Sequence, residues 1–317
     1  MPSVNTVTGP LDTAELGFTL MHEHIYVLTE GMYATYPHLW DREARTKLAA
    51  DQLAEAKAHG VKSMVDLTVM GLGRDVTLVH EAAQRSGMQI IVATGLYTYD
   101  EVPRHFEGRD ADYMAGLFVH DINTGIQNTD IKAGILKCAT DEKGLTPGVE
   151  KVLRAVARSH RATGVPISTH THAATKRGLD QQRIFREEGV DLTRVVIGHS
   201  GDSEDIAYLE ELMAAGSYIG MDRFGIDSFL PTANRVAVIA KLCERGHAGK
   251  MVLAHDASCY LDWYPEGMPA RLLPKWNFLH ISQDVIPALR TAGVTDEQIE
   301  TMTVDNPRRF FEAQGAY

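Results

Sequence analysis

The chain has 317 residues, 44% of them hydrophobic, with a formal net charge of −11 and a pI near 5.7. That length suits two ordinary domains or one barrel-sized domain, and the acidic balance excludes a nucleic-acid partner, because phosphate binding needs a basic footprint. No apolar run reaches membrane-spanning length, MPSVNTVTGPLDT lacks the regions of a signal peptide, and Cys138, Cys243 and Cys259 show no CxxC spacing; the expectation is a cytoplasmic protein with no membrane partner.

In chain order, the first predicted strand is FTLMHEHIYV from Phe18. REARTKLAADQLAEAKAHG follows, with apolar positions at helical spacing up to Gly60. Strands are predicted at SMVDLTV from Ser63, QIIVATGLY from Gln89, AGILKCA from Ala133, PISTHTH from Pro166, RVVIGHSG from Arg194, SYIGMDRFG from Ser217 and KMVLAHDAS from Lys250. Further helices are predicted over Pro147–Gly164, Ala174–Gly189, Ser203–Gly216 and Pro231–Gly246, several closing on a glycine that fits a C-terminal cap. Continuous rather than alternating hydrophobicity marks strands covered on both faces, as in a parallel sheet. Strand then helix, repeated, predicts an α/β fold, a single (β/α)8 TIM barrel spanning residues 1–317 with no linker to divide it. The longest irregular segment, Tyr260–Phe278, follows the eighth predicted strand, at the end where barrel active sites lie.

The polar residues of these strands form a pattern. Strand alternation puts His22 and His24 on one face and Glu23 on the other. Lys137, His170 and His172, His199, and His255-Asp256 fall toward the C-terminal ends of the fourth, fifth, sixth and eighth predicted strands, where side chains converge on one mouth. Imidazoles and a carboxylate suit a borderline transition metal such as zinc, cobalt, manganese or iron rather than calcium or magnesium. One buried histidine alone is usually a hydrogen-bonded core residue; the joint placement carries the signal. Lys137, inside apolar GILKCA, would be costly as a buried ammonium beside cations and is expected deprotonated or modified, a carbamate being able to bridge two metals. Asp256 can both touch a metal-bound water and accept its proton. Asp202 either orients this end of the site or caps the helix that starts near Ser203. Arg223 either joins Asp202 and Asp256 in a relay or is a structural ion-pair partner. His59, His80, His160 and His247 read as surface residues of helices.

With these residues assembled, the sequence resembles the phosphotriesterase family of the amidohydrolase superfamily over nearly its whole length, in GFTLMHEHIYV, VDLTVMGLGRD, VATGLYTY, AGILKCATDE, PISTHTHA, VVIGHSGD and VDNPRRFF. It is most similar to the phosphotriesterase-like lactonases, which carry a tyrosine in the GLY segment and an arginine after the seventh strand. The resemblance implies a binuclear centre of two divalent metals. His22, His24, Lys137 as a carbamate and Asp256 would hold the more buried ion; His170, His199 and the same carbamate would hold the other. Tyr97 would line the substrate site and Arg223 would stand at the loop that limits it. His172 matches no ligand position, and Ser258 stands where lactonase relatives often have cysteine. A homodimer is also implied.

The expected function is opening of lactone rings, N-acyl-homoserine lactones foremost (quorum quenching), by a metal-bridging hydroxide, with weak phosphotriesterase activity. Asp256 would move the proton, with Asp202 and Arg223 in its relay and Tyr97 orienting the oxygen. Leu261, Trp263, Met268, Leu272, Leu273, Trp276 and Phe278 are the expected acyl channel. The alternatives are a primary phosphotriesterase or carboxylesterase with the same metals, or a metal-binding protein without chemistry.

Overall fold

The computed structural model describes residues 1–313 and 315–317. An antiparallel hairpin, β1 (Ser3–Thr6) and β2 (Gly9–Asp12), precedes a nine-stranded sheet of β3 (Thr19–Val27), β4 (Ser63–Asp66), β5 (Gln89–Gly95), β6 (Ile135–Thr140), β7 (Ile167–Thr171), β8 (Val195–Ile197), β9 (Tyr218–Met221), β10 (Met251–Leu253) and β11 (Ser258–Leu261). The order is β10-β9-β8-β7-β6-β5-β4-β3-β11 and every pairing is parallel. This is an α/β fold with a curled parallel sheet, consistent with a TIM-like barrel. Its two ends meet, because Asp256 N–H, just past β10, donates to His22 O (3.0 Å) and His24 N–H donates to Ala257 O (2.8 Å).

All eight predicted strands form, β3 to β10, each shorter than its predicted stretch, with β8 and β10 reduced to Val195–Ile197 and Met251–Leu253. Successive strand residues pack into two different cores: Leu20, Met64, Ile90 and Leu136 join the large one under the helices, while their neighbours Met21, Val65, Ile91 and Ile135 join a smaller one inside the curl. Both faces of the sheet are therefore buried, which is why the strands read as unbroken hydrophobic runs. Each such aliphatic side chain contributes about 1.5–3 kcal/mol on burial.

Pro147–Thr163 shows how the covering helices are specified. Val149, Val152, Leu153 and Val156 are buried at 3- and 4-residue spacing, Thr146 caps Val149 N–H, Pro147 opens the first turn and Gly164 closes it at φ +77°. The predicted helices appear as Arg42–Ala58, Pro147–Thr163, Arg177–Glu187, Ile206–Ala214 and Thr232–Glu244, with Val76–Ser86 and Ala111–Asn123 filling two further connections. Two readings need correction. The segment after the eighth strand opens with β11, paired to β3 through Ser258↔His24, and holds a short helix at Met268–Leu272. His160 is fully buried, hydrogen-bonded to Val165 O (2.8 Å) and Tyr317 Oη (2.7 Å), because its helix packs against the sheet on that side. No helix is long and apolar enough to cross a membrane among the described residues.

Candidate metal centre

β3 directs His22 and His24 inward as alternation predicts, and both are buried. Lys137 on β6 and His170 on β7 project beside them. His199 and Asp256 come just beyond the short strands β8 and β10, both in left-handed backbone, at φ +58° and +56°. That conformation is uncommon for a residue with a side chain and recurs where a functional group must be aimed. The imidazoles form a row, with ring centroids 5.8 Å apart for His24 and His22, 4.7 Å for His22 and His199, and 4.6 Å for His199 and His170.

One carboxylate orients two of those rings. Asp222, wholly buried one residue after β9, accepts from His22 Nδ1 (Oδ2, 2.8 Å), and from His199 Nδ1 (2.9 Å) and backbone N–H (2.8 Å) on Oδ1. Gly220 makes the room: a Cβ there would lie 2.2 Å from Asp222 Oδ2. His24 Nδ1 donates to Thr68 Oγ1 (2.8 Å), which itself donates to Tyr26 O. His170 is the mirror case, with Nε2 bonded to Asp141 Oδ2 at 2.6 Å. In each ring one nitrogen is occupied as a donor, so the other keeps its lone pair for the cavity.

The Nε2 lone pairs of His22, His24 and His199 face Asp256 or Lys137, while the free Nδ1 of His170 faces Tyr97 Oη (3.3 Å). Asp256 Oδ1 lies 3.5 Å from His22 Nε2 and 3.2 Å from His24 Nε2, and Oδ2 lies 3.7 Å from His199 Nε2. Ligand atoms of His22, His199 and Asp256 all fall within 4.8 Å of one another. Lys137 Nζ is 2.9 Å from His22 Nε2. Burial lowers the Lys137 amine to about 8, lowers His22 with help from Lys137, takes His170 to about 4 against the pull of Asp141, and with Arg223 holds His199 well below its ordinary value. Burial pushes the Asp256 carboxyl up, but His199, His22, His24 and Arg223 outweigh it and keep it well below the usual range. Imidazoles held neutral at His22, His170 and His199 and a carboxylate held charged at Asp256 are the protonation states that metal ligation requires, so the donor set fits divalent cations.

Arg223 Nε donates to Asp256 Oδ2 (3.1 Å) and Nη1 to Asp202 Oδ2 (2.9 Å), and Arg235, also buried, pairs with Asp202 Oδ1 at 2.7 Å. The helix-cap reading of Asp202 is overturned: Asp205 caps Ile206–Ala214, while Asp202 lies in the preceding 3-10 turn. Tyr97 Oη contacts His170 Nδ1 at 3.3 Å and Tyr99 Oη more closely. His172 stands apart, bonded to Thr175, and His255 is turned away to Glu23.

The ligand candidates, Tyr97, Tyr99 and Arg223 line a cavity of about 180 Å³. Its outer wall includes Ile226, Phe229, Ser258, Leu261, Trp263, Tyr264 and Trp276. Of the seven expected channel residues, Leu261, Trp263 and Trp276 border this cavity; Phe278 borders a neighbouring hollow and Leu272 is exposed to solvent. Asp222, Asp141, Thr68, Arg235, Tyr99 and Phe229 escaped the sequence reading. Asp222 alone had a usable signal, a carboxylate directly after an apolar strand and a glycine in a chain rich in strand-end histidines.

Residues 2–311 match the phosphotriesterase family. The chain belongs to that family. Its members are hydrolases with binuclear metal centres, so this is an enzyme, and its histidine–aspartate cluster could bind metal. It is 59% identical to the "Phosphotriesterase homology protein" of Mycobacterium tuberculosis, over all of both chains, and 42% identical to the "Aryldialkylphosphatase" of Saccharolobus solfataricus, over 95% of this chain and 96% of that one. The structure of the phosphotriesterase from Mycobacterium tuberculosis superposes with a TM-score of 0.97, at 59% identity and full coverage of both chains.

Proposed function

We propose that this member of the phosphotriesterase family opens lactone rings, N-acyl-homoserine lactones foremost, and hydrolyses phosphotriesters weakly. The observation that carries the proposal is the convergence of His22, His24, Lys137, His170, His199 and Asp256 at the floor of a cavity whose outer wall is aromatic and aliphatic. A polar floor with an apolar wall suits a small ester ring on an acyl tail. His22, His24, Asp256 and Lys137 as a carbamate would hold one cation, and His170, His199 and the shared carbamate a second, at the C-terminal ends of the strands of a (β/α)8 barrel. Zinc suits these donors, with cobalt, manganese or iron as substitutes.

Divalent cations held there supply Lewis acidity, lowering the pKa of water and drawing charge from a carbonyl or phosphoryl oxygen. The chain's own residues do the rest. Asp256 accepts the proton given up by the attacking water and returns it to the leaving alkoxide. Arg223 holds Asp256 Oδ2 in place; burial works against its charge, but Asp256 and Asp202 keep the guanidinium protonated, so it orients and does not itself shuttle protons. Burial, with Tyr99 alongside, raises Tyr97 well above a free phenol, leaving it neutral and able to donate to the oxygen that gains charge. Trp263, Tyr264 and Phe229, all half-exposed at the rim, receive the tail.

A primary phosphotriesterase is the second reading, favoured by the name of the Saccharolobus solfataricus relative. A lactone panel run beside an organophosphate triester, on protein reconstituted with each metal, separates the two. The proposal expects higher kcat/KM on a long-chain acyl lactone, with chelation abolishing both activities; a triester hydrolysed far faster than every lactone sinks it. We also propose a homodimer, to be checked by sedimentation equilibrium.

A further inference from the structure

Glu23 sits between His22 and His24 yet points away from the cavity and is wholly buried. Its Oε1 accepts from His255 N–H (2.9 Å) and His255 Nδ1 (2.7 Å), and its Oε2 accepts from Ala257 N–H (3.0 Å). One carboxylate thus grips the residues on both sides of Asp256. The turn between them is left-handed at Asp256, a conformation disfavoured for a residue carrying a side chain. It also breaks the ladder. A regular parallel pairing would send His24 N–H to Asp256 O, but the acceptor is Ala257 O, one residue further on, while Asp256 N–H still reaches His22 O. The remaining polar groups are all engaged: Trp276 Nε1 donates to His255 O (3.0 Å) and Asp256 O (3.1 Å), and Ile281 N–H donates to His255 Nε2 (3.0 Å). Every backbone N–H and C=O from 255 to 257 has a partner, and Glu23 supplies two of the three for the N–H groups.

We propose that Glu23 is a positioning residue for Asp256: it holds the left-handed turn that aims the Asp256 carboxylate between the imidazoles of His22 and His24. The same strand then supplies two ligands from one face and, from the other, the clamp for a third ligand more than 230 positions away. The role rests on the reading of Asp256 as metal ligand and base given above. A carboxylate is suited to it because all three neighbours are donors.

The test is Glu23→Gln, which keeps the size but turns an NH2 group toward at least one donor. Zinc dissociation constants measured by competition with a chromophoric chelator are expected to rise about 10-fold or more for one of the two sites. At saturating zinc, kcat on a lactone or triester falls about 10-fold while KM stays within about twofold. His255→Gln, which can still donate to Glu23 and accept from Ile281, is expected to keep near wild-type zinc affinity. If Glu23→Gln fails to fold, Glu23→Asp takes its place: it keeps the charge but is too short to hold both 255 and 257. Unchanged zinc affinity and kcat with only a lower Tm would overturn the proposal and leave Glu23 a packing group. The zinc constants do not depend on the substrate, so a wild-type enzyme inactive on lactones and triesters would sink the proposed function while they still decide the role of Glu23.

Discussion

Asp222 decides which nitrogen of His22 and of His199 is free, and it does so from a position no ligand spacing reveals. An asparagine there can accept from one ring but must offer its NH2 to the other, where a donor already waits. Asp222→Asn is therefore expected to weaken zinc binding by about 10- to 100-fold, read by chelator competition, with secondary structure intact. Asp256→Asn keeps the shape and removes the base, so kcat should fall by about 10³-fold or more with a small change in Tm; near-normal turnover excludes the proton-transfer role. Lys137, lowered to about 8 by burial, is neutral for roughly a tenth of the time at pH 7, far more than an ordinary lysine, and can react with carbon dioxide in that form. Labelled ¹³C-bicarbonate should give a protein-bound carbamate signal that Lys137→Ala lacks. Two zincs bound by that variant without added carboxylate would count against the bridge. The strand-end histidines, Lys137 and Asp256 were legible in the sequence from side-chain type and position, while the choice of six ligands among them, leaving out His172 and His255, is what the family resemblance implies. Their partners were not, since Asp222 meets His22 across 200 residues and only the curl of the sheet brings them together.

The segment after β10 is the element that the sequence read least well. Its opening residues pair with β3 because the site end of β3 still has an open edge there, and nothing local in Ser258–Leu261 says so. Asp262 then pins the loop. Its carboxylate accepts from Thr29 N–H (2.9 Å), Thr29 Oγ1 (3.0 Å) and Tyr33 Oη (3.1 Å), fixing the residue next to Trp263 against the chain that leaves β3. Asp262→Ala should release that rim. The expected result is a KM severalfold higher for long-chain lactones, with zinc content and kcat kept; a lower zinc content instead would place Asp262's effect at the metals. The covering helices were far more legible, because caps and apolar spacing such as those of Pro147–Thr163 are local features.

For the whole molecule, burial of neutral imidazoles ties stability to pH. His255 is taken to about 3 and His170 to about 4, chiefly by burial, against an ordinary value near 6.5. Between those values the unfolded chain binds more protons than the folded one, so stability rises with pH through the window. The contribution is complete above about pH 6.5 and is lost as the pH falls toward 3–4. Metal-free protein should therefore show a Tm that falls steadily from pH 7 to pH 4.5. A flat Tm over that range would mean that these rings are not held neutral in the folded state.

By itself the sequence determined the strand–helix alternation, the parallel sheet buried on both faces, and a set of strand-end side chains of the types that bind metal. Each follows from periodicity, capping and side-chain chemistry, which act over a few positions at a time. Only the tertiary structure decided how those residues are aimed: the left-handed turns at His199 and Asp256, the Asp222 carboxylate between two rings, the Glu23 clamp behind the His22 and His24 pair, and the rim built around β11. Orientation depends on hydrogen bonds between strands far apart in the chain, and those partners are chosen when the sheet curls and its two ends meet.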